Sequence, residues 1–298
     1  MNAKDGVKTA QRLLVLGAGY VGEGVCRRAV ASGVETTALT RNPATAQRLS
    51  ALGVRTVVAD LAGHDWHADV PAASTQVVVC VSSGGGGVEG YRHSYLQGME
   101  SVVAWGRSRS ATGTLVYTSS TSVYPQGGGA RVDETAPTQP PTSERAGILL
   151  RAEETARAWP GRAFVLRLTG IYGPGRHHLL DQLRAGETVL AGRGDHRLNL
   201  IHRDDIVEAV WLALTAPEAV PGQAFNVTDD DPVSKDVCVR WLCARLDRAP
   251  PVFSGQAAEG RQRVTPDRVI DNLRIKRVLG WCPRFSSFRD GYRALLEA

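Results

Sequence analysis

An α/β fold is what this sequence predicts: a doubly wound parallel sheet followed by a smaller C-terminal lobe. Three observations predict it. Short apolar runs alternate with amphipathic stretches of helical period between Leu13 and Val227. The first run meets a glycine-spaced turn, Gly17-Ala18-Gly19-Tyr20-Val21-Gly22. The chain has 298 residues, 43% of them hydrophobic, enough for one large α/β unit and a second lobe.

Met1–Gln11 is polar and expected to fray. Leu13–Leu16 is the first strand. Gly17–Gly22 then fits G-x-G-x-x-G, after a strand and before a helix. Gly17 allows the tight turn. Gly19 puts no Cβ in the way of a pyrophosphate, and Gly22 lets helix and strand pack closely. The amides around Gly19, Tyr20 and Val21 then face the anion with the positive end of the helix dipole. A dinucleotide site is the expectation; a glycine-rich turn that binds nothing is the alternative. Val21, Val25 and Ala29 share the buried helix face, and Gly33 stops the helix.

Val34–Thr40 is the second strand, ending in Thr40-Arg41-Asn42-Pro43. The residue at this strand end selects the cofactor. An acid there bonds the ribose 2′-hydroxyl of NAD, whereas an arginine accommodates the 2′-phosphate of NADP. Thr40 and Arg41 stand there and no acid does, so NADP is expected over NAD. The other reading makes Arg41 a solvated loop charge. Asn42 caps the next helix with Pro43 at its first position, Ala46, Leu49 and Leu52 form its buried face, and Gly53 ends it. Val54–Ala59 is the third strand. Asp60-Leu61 follow, with Asp60 either accepting from an adenine amino group or capping the next turn.

Gln76–Val81 is a near-continuous apolar run, as expected of a strand covered on both faces. Val81 and Ser82 at its C-terminal end are candidate cofactor contacts, ahead of the glycines Gly84–Gly87. Tyr91, Tyr95, Met99 and Val102 mark one face of a long helix. Thr114–Thr118 is the fifth strand and runs into Ser119-Ser120-Thr121-Ser122-Val123-Tyr124. Val165–Leu168 and Ala224–Val227 supply the sixth and seventh strands. Asp204 reads as the N-cap of a helix reaching about Thr215. Residues 1–170 thus form the dinucleotide-binding domain, its sheet completed by about 199–227. Residues 171–298 supply most of the smaller lobe, where a substrate would meet the C-terminal edge of the sheet.

The formal charge is +5, but no basic run is interleaved with aromatics, so no nucleic-acid partner is expected. Five cysteines form no C-x-x-C pair, and an odd count without a signal peptide points to a reducing cytoplasm. No apolar run approaches the roughly 20 residues of a membrane helix. His64-Asp65-Trp66-His67 and His177-His178 lack further ligands at metal spacing, so no metal is expected. There is no G-x-S-x-G elbow for a hydrolase and no G-x-x-x-x-G-K-[ST] for a nucleoside triphosphatase.

Beyond the glycine turn, several stretches act together. They are Ser119–Tyr124, Leu166-Arg167-Leu168-Thr169-Gly170-Ile171-Tyr172-Gly173-Pro174-Gly175, Ile201-His202-Arg203-Asp204-Asp205 and Phe225-Asn226-Val227. With them the chain resembles the extended short-chain dehydrogenase/reductase superfamily, of the NAD-dependent epimerase/dehydratase type. The resemblance implies a Rossmann fold, a nicotinamide cofactor and a small-molecule substrate. It also implies a homodimer through the helix face Tyr91–Val102 and the helix after Ser143, where a core-facing role explains the apolar stripe equally well. Ser120 matches the family's substrate-hydroxyl-binding position, and Ser119 beside it is counted with the cofactor contacts.

Two departures bear on chemistry. Leu16 stands where extended members carry the first glycine of G-x-x-G-x-x-G. The family's Y-x-x-x-K pair falls on Arg145 and Leu149. In the family the tyrosine is the general acid/base, and the lysine lowers its pKa and holds the ribose. An arginine stays protonated and shuttles protons poorly, and a leucine can do neither job. This is similar to the atypical, YeeZ-type subgroup that lacks the pair. Tyr124 is the nearest remaining phenol, either a substitute acid or the structural tyrosine of its turn; Tyr172 and His202 are further candidates. The expected activity is an NADP(H)-dependent oxidoreductase acting on a small carbonyl or imine. The alternatives are a sensor or scaffold that binds NADP without turnover, and a cofactor-retaining epimerase.

Overall fold

Seven strands make one parallel sheet in the computed structural model, which describes residues 12–70, 76–256 and 266–297; Met1–Gln11 lie outside these. The strands are β1 (Arg12–Leu16), β2 (Glu35–Thr40), β3 (Arg55–Val58), β4 (Gln76–Val79), β5 (Leu115–Ser120), β6 (Ala163–Leu168) and β7 (Ala224–Val227). Their order across the sheet is β7-β6-β5-β4-β1-β2-β3. Register pairs include Leu14 with Thr37 on one side and Leu14 with Val77 on the other. The order reverses between β1 and β4, and a doubly wound sheet opens its ligand crevice at such a switch point. The apolar runs explain the burial: Leu13–Leu16 and Val77–Val79 are each 1% exposed or less.

Helix α1 (Tyr20–Ala31) buries Val21, Gly22, Val25, Cys26 and Ala29. It ends as expected, with Gly33 at φ +71° behind a Ser32 cap. Helix α2 (Pro43–Ser50) is capped by Asn42, whose Oδ1 accepts the Ala44 and Thr45 amides at 2.9 and 3.3 Å. The helix expected through Tyr91–Val102 is not regular. It runs as an α-helical turn at Gly87–Tyr91, a π-helical turn at Arg92–Gln97, and α3 (Gly98–Ser108). The wider turn breaks the single apolar stripe: Met99 and Val102 are buried, whereas Tyr91 and Tyr95 stay half-buried and pack on each other at 5.1 Å. Helix α4 (Glu144–Arg157) is capped by Ser143, whose Oγ accepts the Ala146 amide.

Two units cluster separately. The first holds residues up to Ser119, with Ser143–Leu166 and Val210–Ala224; the second holds Ser120–Thr142, Arg167–Ala209 and Phe225 onward. The core of the first unit stacks Trp66, Trp105 and Trp159 behind Leu115 and Tyr117, with ring centroids 5.9 and 6.2 Å apart. In the second unit, three two-stranded parallel ladders surround a core of Tyr172, Leu180, Leu183, Leu242, Phe288 and Tyr292. Asp204 is not an N-cap, because its helix spans Arg203–Leu214 and so begins one residue earlier. His202, at the end of Leu200–His202, takes the capping part instead, its Nδ1 accepting the Asp204 amide at 3.3 Å. Among the described residues, no helix is long and apolar enough to cross a membrane.

Candidate functional site

The glycine turn has the shape its sequence dictates. Gly17 sits at φ +90°, and a Cβ there would lie 2.9 Å from the Cys80 carbonyl and from the Val81 side chain. That contact joins the ends of β1 and β4, so Val81 does border the turn. A Cβ on Gly22 would reach the Gly17 carbonyl oxygen at 2.5 Å and Val15 Cγ1 at 3.3 Å, which is the close helix–strand packing. Around Gly19 there is open space, with no described protein atom within 4 Å of an added Cβ. The Gly17 and Ala18 amides bond the Leu39 carbonyl at 3.0 and 2.9 Å, and the first helical bond runs from the Glu23 amide to Gly19 O at 2.8 Å. The amides of Val21 and Gly22, ahead of Glu23 in the first turn, are therefore the ones a phosphate would meet. Glu23 is kept from opposing an anion by two guanidiniums, Arg27 at 2.8 Å and Arg48 at 3.3 Å. The turn thus fits a dinucleotide pyrophosphate.

At the end of β2, Thr40 is buried and its hydroxyl accepts the Asn42 amide. Arg41 is half exposed, and its guanidinium lies over Gly84, where a Cβ would approach Nη2 to 2.9 Å. Asp60 Oδ1 accepts the Ala62 amide at 2.9 Å, the turn-capping role read for it. Its Oδ2 faces an imidazole and a guanidinium, His93 Nε2 at 2.9 Å and Arg41 Nη1 at 3.9 Å. Leu61 beside it is core, 5% exposed. Burial pushes the Asp60 carboxyl up, but the His93 and Ala62 bonds and the charges of His93 and Arg41 outweigh it and hold it below the usual carboxylate range. Asp60 in turn raises the His93 imidazole. Arg41, Ser83, Gly84, Glu89, His93 and Gln97 line a cavity of about 500 Å³. Sequence spacing gives no signal for His93, which lies 33 positions along the chain from Asp60.

Past β4, Ser82 is exposed. Ser119, near the end of β5, is 6% exposed and donates to Glu153 Oε1 at 2.7 Å. Glu153 itself is fully buried on α4. One helical turn before it, at the position where the resemblance calls for a lysine, Leu149 is 1% exposed. Arg145, at the tyrosine position, is exposed, and its guanidinium lies 5.4 Å from the centre of the Tyr91 ring.

In the second unit, Ser120 Oγ accepts the Ser122 amide at 3.1 Å and so caps the 3₁₀ turn Thr121–Val123. Tyr124 is 1% exposed. Its hydroxyl donates to Asn226 Oδ1 at 2.8 Å and accepts from Arg167 Nη1 at 2.8 Å. Burial pushes the phenol up, and the Arg167 charge offsets this in part. Tyr172 and His202 pack edge to face at 5.4 Å; burial holds the His202 imidazole down to about 4. Asp229 lies in a stretch, Thr228–Pro232, that reads in sequence as a polar loop. It is 3% exposed, and among the described residues neither carboxyl oxygen has a hydrogen-bond partner of good geometry. Burial pushes that carboxyl up to about 9, and the Asp231 amide offsets only part of it. Among the described residues no group of three or more His, Cys, Asp or Glu side chains could hold a metal.

Comparison with known proteins follows the same lines. The NAD dependent epimerase/dehydratase family matches residues 13–228. Protein YeeZ of Escherichia coli (strain K12) is 33% identical over 168 residues, covering 56% of this chain and 57% of YeeZ, so the match spans little more than half of that relative. The 2-alkyl-3-oxoalkanoate reductase of Shewanella oneidensis is 28% identical over 258 residues, 78% of this chain and 65% of that protein. Among solved structures, a putative NAD-dependent epimerase/dehydratase from Methylobacillus flagellatus superposes with a TM-score of 0.74 at 27% identity, covering 97% of this chain and 98% of that one. The UDP-glucose 4-epimerase of Thermus thermophilus, in complex with NAD, reaches a TM-score of 0.80 at 20% identity, covering 96% and 98%, a likeness of fold alone. With its glycine turn, strand order and family match in agreement, the chain belongs to the NAD-dependent epimerase/dehydratase family, of the extended short-chain dehydrogenase/reductase type.

Proposed function

We propose that this protein is an NADP(H)-dependent oxidoreductase acting on a small carbonyl or imine metabolite. The observation that carries the cofactor choice is Arg41. It follows β2, where an acid would bond a 2′-hydroxyl, and its half-exposed guanidinium borders a cavity of about 500 Å³ in the same unit as the glycine turn. A guanidinium meets a phosphate with paired, charge-assisted hydrogen bonds. When bound, the cofactor supplies the hydride. The chain supplies position and polarity: the open Gly19 turn for the pyrophosphate, Arg41 for the 2′-phosphate, and Ser120 for the substrate oxygen. Ser120 spends a lone pair on the Ser122 amide, which leaves its O–H to donate to a carbonyl or developing alkoxide. The relative named as a 2-alkyl-3-oxoalkanoate reductase supports a ketone, and one that carries a carboxylate.

A second reading, binding of the cofactor without turnover, is favoured by one specific observation. The lysine position is the buried Leu149 and the tyrosine position is Arg145, so the family's proton relay has no counterpart there. One experiment separates the readings. NADPH and NADH are titrated by fluorescence against the wild type and Arg41→Ala, then NADPH oxidation is followed with a panel of 3-oxo acids and simpler ketones. The oxidoreductase reading expects NADPH binding weakened about tenfold or more in the variant with NADH little changed, and NADPH consumption with at least one ketone. Equal binding of both cofactors in both proteins would overturn the NADP assignment. Tight binding without consumption of any ketone would favour the second reading.

A further inference from the structure

We propose that His93 is a cofactor-selectivity residue: as imidazolium it takes Asp60 away from Arg41 and leaves that guanidinium to a 2′-phosphate. This rests on the NADP reading above and adds a residue and a pH dependence to it.

The geometry is a carboxylate shared unequally between two cations. Asp60 Oδ2 lies 2.9 Å from His93 Nε2 but 3.9 Å from Arg41 Nη1. The other ring nitrogen, His93 Nδ1, faces Gln97 Oε1 at 3.1 Å. Both neighbours are acceptors, and only the doubly protonated ring donates to both at once. His93 and Gln97 both lie in the π-helical turn Arg92–Gln97. π turns inside α-helices are frequent at functional sites.

The charges that face His93 come from three elements. Arg41 follows β2, Asp60 follows β3, and Glu89 belongs to the helical turn before the π turn and lines the same cavity. Glu89 is engaged by Arg92 at 3.5 Å, and Arg92 also pairs with Glu144 at 2.7 Å. Arg41 and Asp60 therefore decide the local balance. With a neutral imidazole their charges cancel, and Asp60 has only Arg41 as a cationic partner. With an imidazolium the three groups carry one net positive charge, and Asp60 has a closer partner than Arg41. A dianionic 2′-phosphate senses that difference; the uncharged 2′-hydroxyl of NAD hardly does. Asp60 shifts the His93 equilibrium toward the charged form.

The test measures NADPH and NADH dissociation constants between pH 6.0 and 8.5 for the wild type, His93→Gln and Asp60→Asn, with thermal melts to show that each variant is folded. The cofactor phosphate ionises too, with a pKa near 6, so the readout is the difference between wild type and variant. In the wild type, the preference for NADPH over NADH should fall about tenfold as pH rises, the size of one pKa unit of coupling. His93→Gln should lose most of that slope. Asp60→Asn, with no carboxylate left to offset Arg41, should bind NADPH about tenfold more tightly than the wild type at pH 8.5. A His93→Gln variant with the full wild-type slope would overturn the role of His93 while leaving the Arg41 assignment intact. No preference for NADPH at any pH, with no effect of Arg41→Ala, would overturn both together.

Discussion

Replacing Asp229 with asparagine should stabilise this protein, and do so increasingly as pH rises from 5 to 8.5. The carboxyl is 3% exposed, lacks a well-formed hydrogen bond among the described residues, and sits among like charges from Asp231, Asp230 and Asp205. Burial raises it from 3.8 to about 9. The sign follows directly. Between those two values the folded state holds a proton that the unfolded chain has released, so folding takes one up. Stability from this group is complete below 3.8, declines as pH rises and levels off near 9. Each pH unit in that interval is worth about 1.4 kcal/mol for a group that keeps its full shift. Local relaxation and water entry blunt this, so a gain of about 2 to 4 kcal/mol at pH 8 is the working figure. Asparagine keeps the shape and carries no charge at any pH. The assay is urea denaturation at pH 5, 6.5 and 8, with midpoints and slopes fitted for both proteins. The variant should be close to the wild type at pH 5 and clearly more stable at pH 8. Parallel pH dependences in the two proteins would refute the reasoning, and so would a variant less stable at pH 8.

Other expectations come from equally local features. Gly17→Ala places a methyl 2.9 Å from the Cys80 carbonyl at φ +90°, so it should cost about 1 to 3 kcal/mol in a thermal melt and abolish cofactor binding by titration. Tyr124→Phe leaves Asn226 and Arg167 without their hydroxyl partner in a buried site. It should lower stability by about 1 to 3 kcal/mol while leaving the NADPH dissociation constant unchanged. Ser119→Ala removes the 2.7 Å donor from the fully buried Glu153, and should cost a similar amount, read as a lower denaturation midpoint.

What can be read from the sequence is whatever depends on neighbours along the chain. The strand pattern is legible to within about two residues: Leu13–Leu16 and Val77–Val79 are apolar throughout, as strands covered on both faces must be, while Glu35–Thr40 mixes threonines into its run. Asn42 with Pro43, and Gly33 behind its helix, announce their own local geometry. The functional half of the molecule depends instead on contacts between distant residues. Asp60 and His93 are 33 positions apart. Tyr124 and Asn226 are 102 apart. Asp204 looks like a helix cap because its side chain suits that position, but His202 in the strand before it accepts the relevant amide. The run Asp229-Asp230-Asp231 has the composition of a solvated loop, yet packing buries the first of the three. Period and composition carry no signal for which member of an acidic run turns inward.

The π-helical turn at Arg92–Gln97 also bears on how this surface can change over generations. An α-helix advances by about 100° per residue, so gaining or losing a single residue in such a turn rotates everything beyond it by more than a quarter of the circle. A one-codon deletion there would swing His93 and Gln97 relative to each other and to Asp60 without altering either side chain. Selectivity at this cavity is therefore open to change through chain length as well as through substitution. A relative whose helix lacks the extra residue, aligned to this one across that turn without a gap, would pair His93 with the wrong residue.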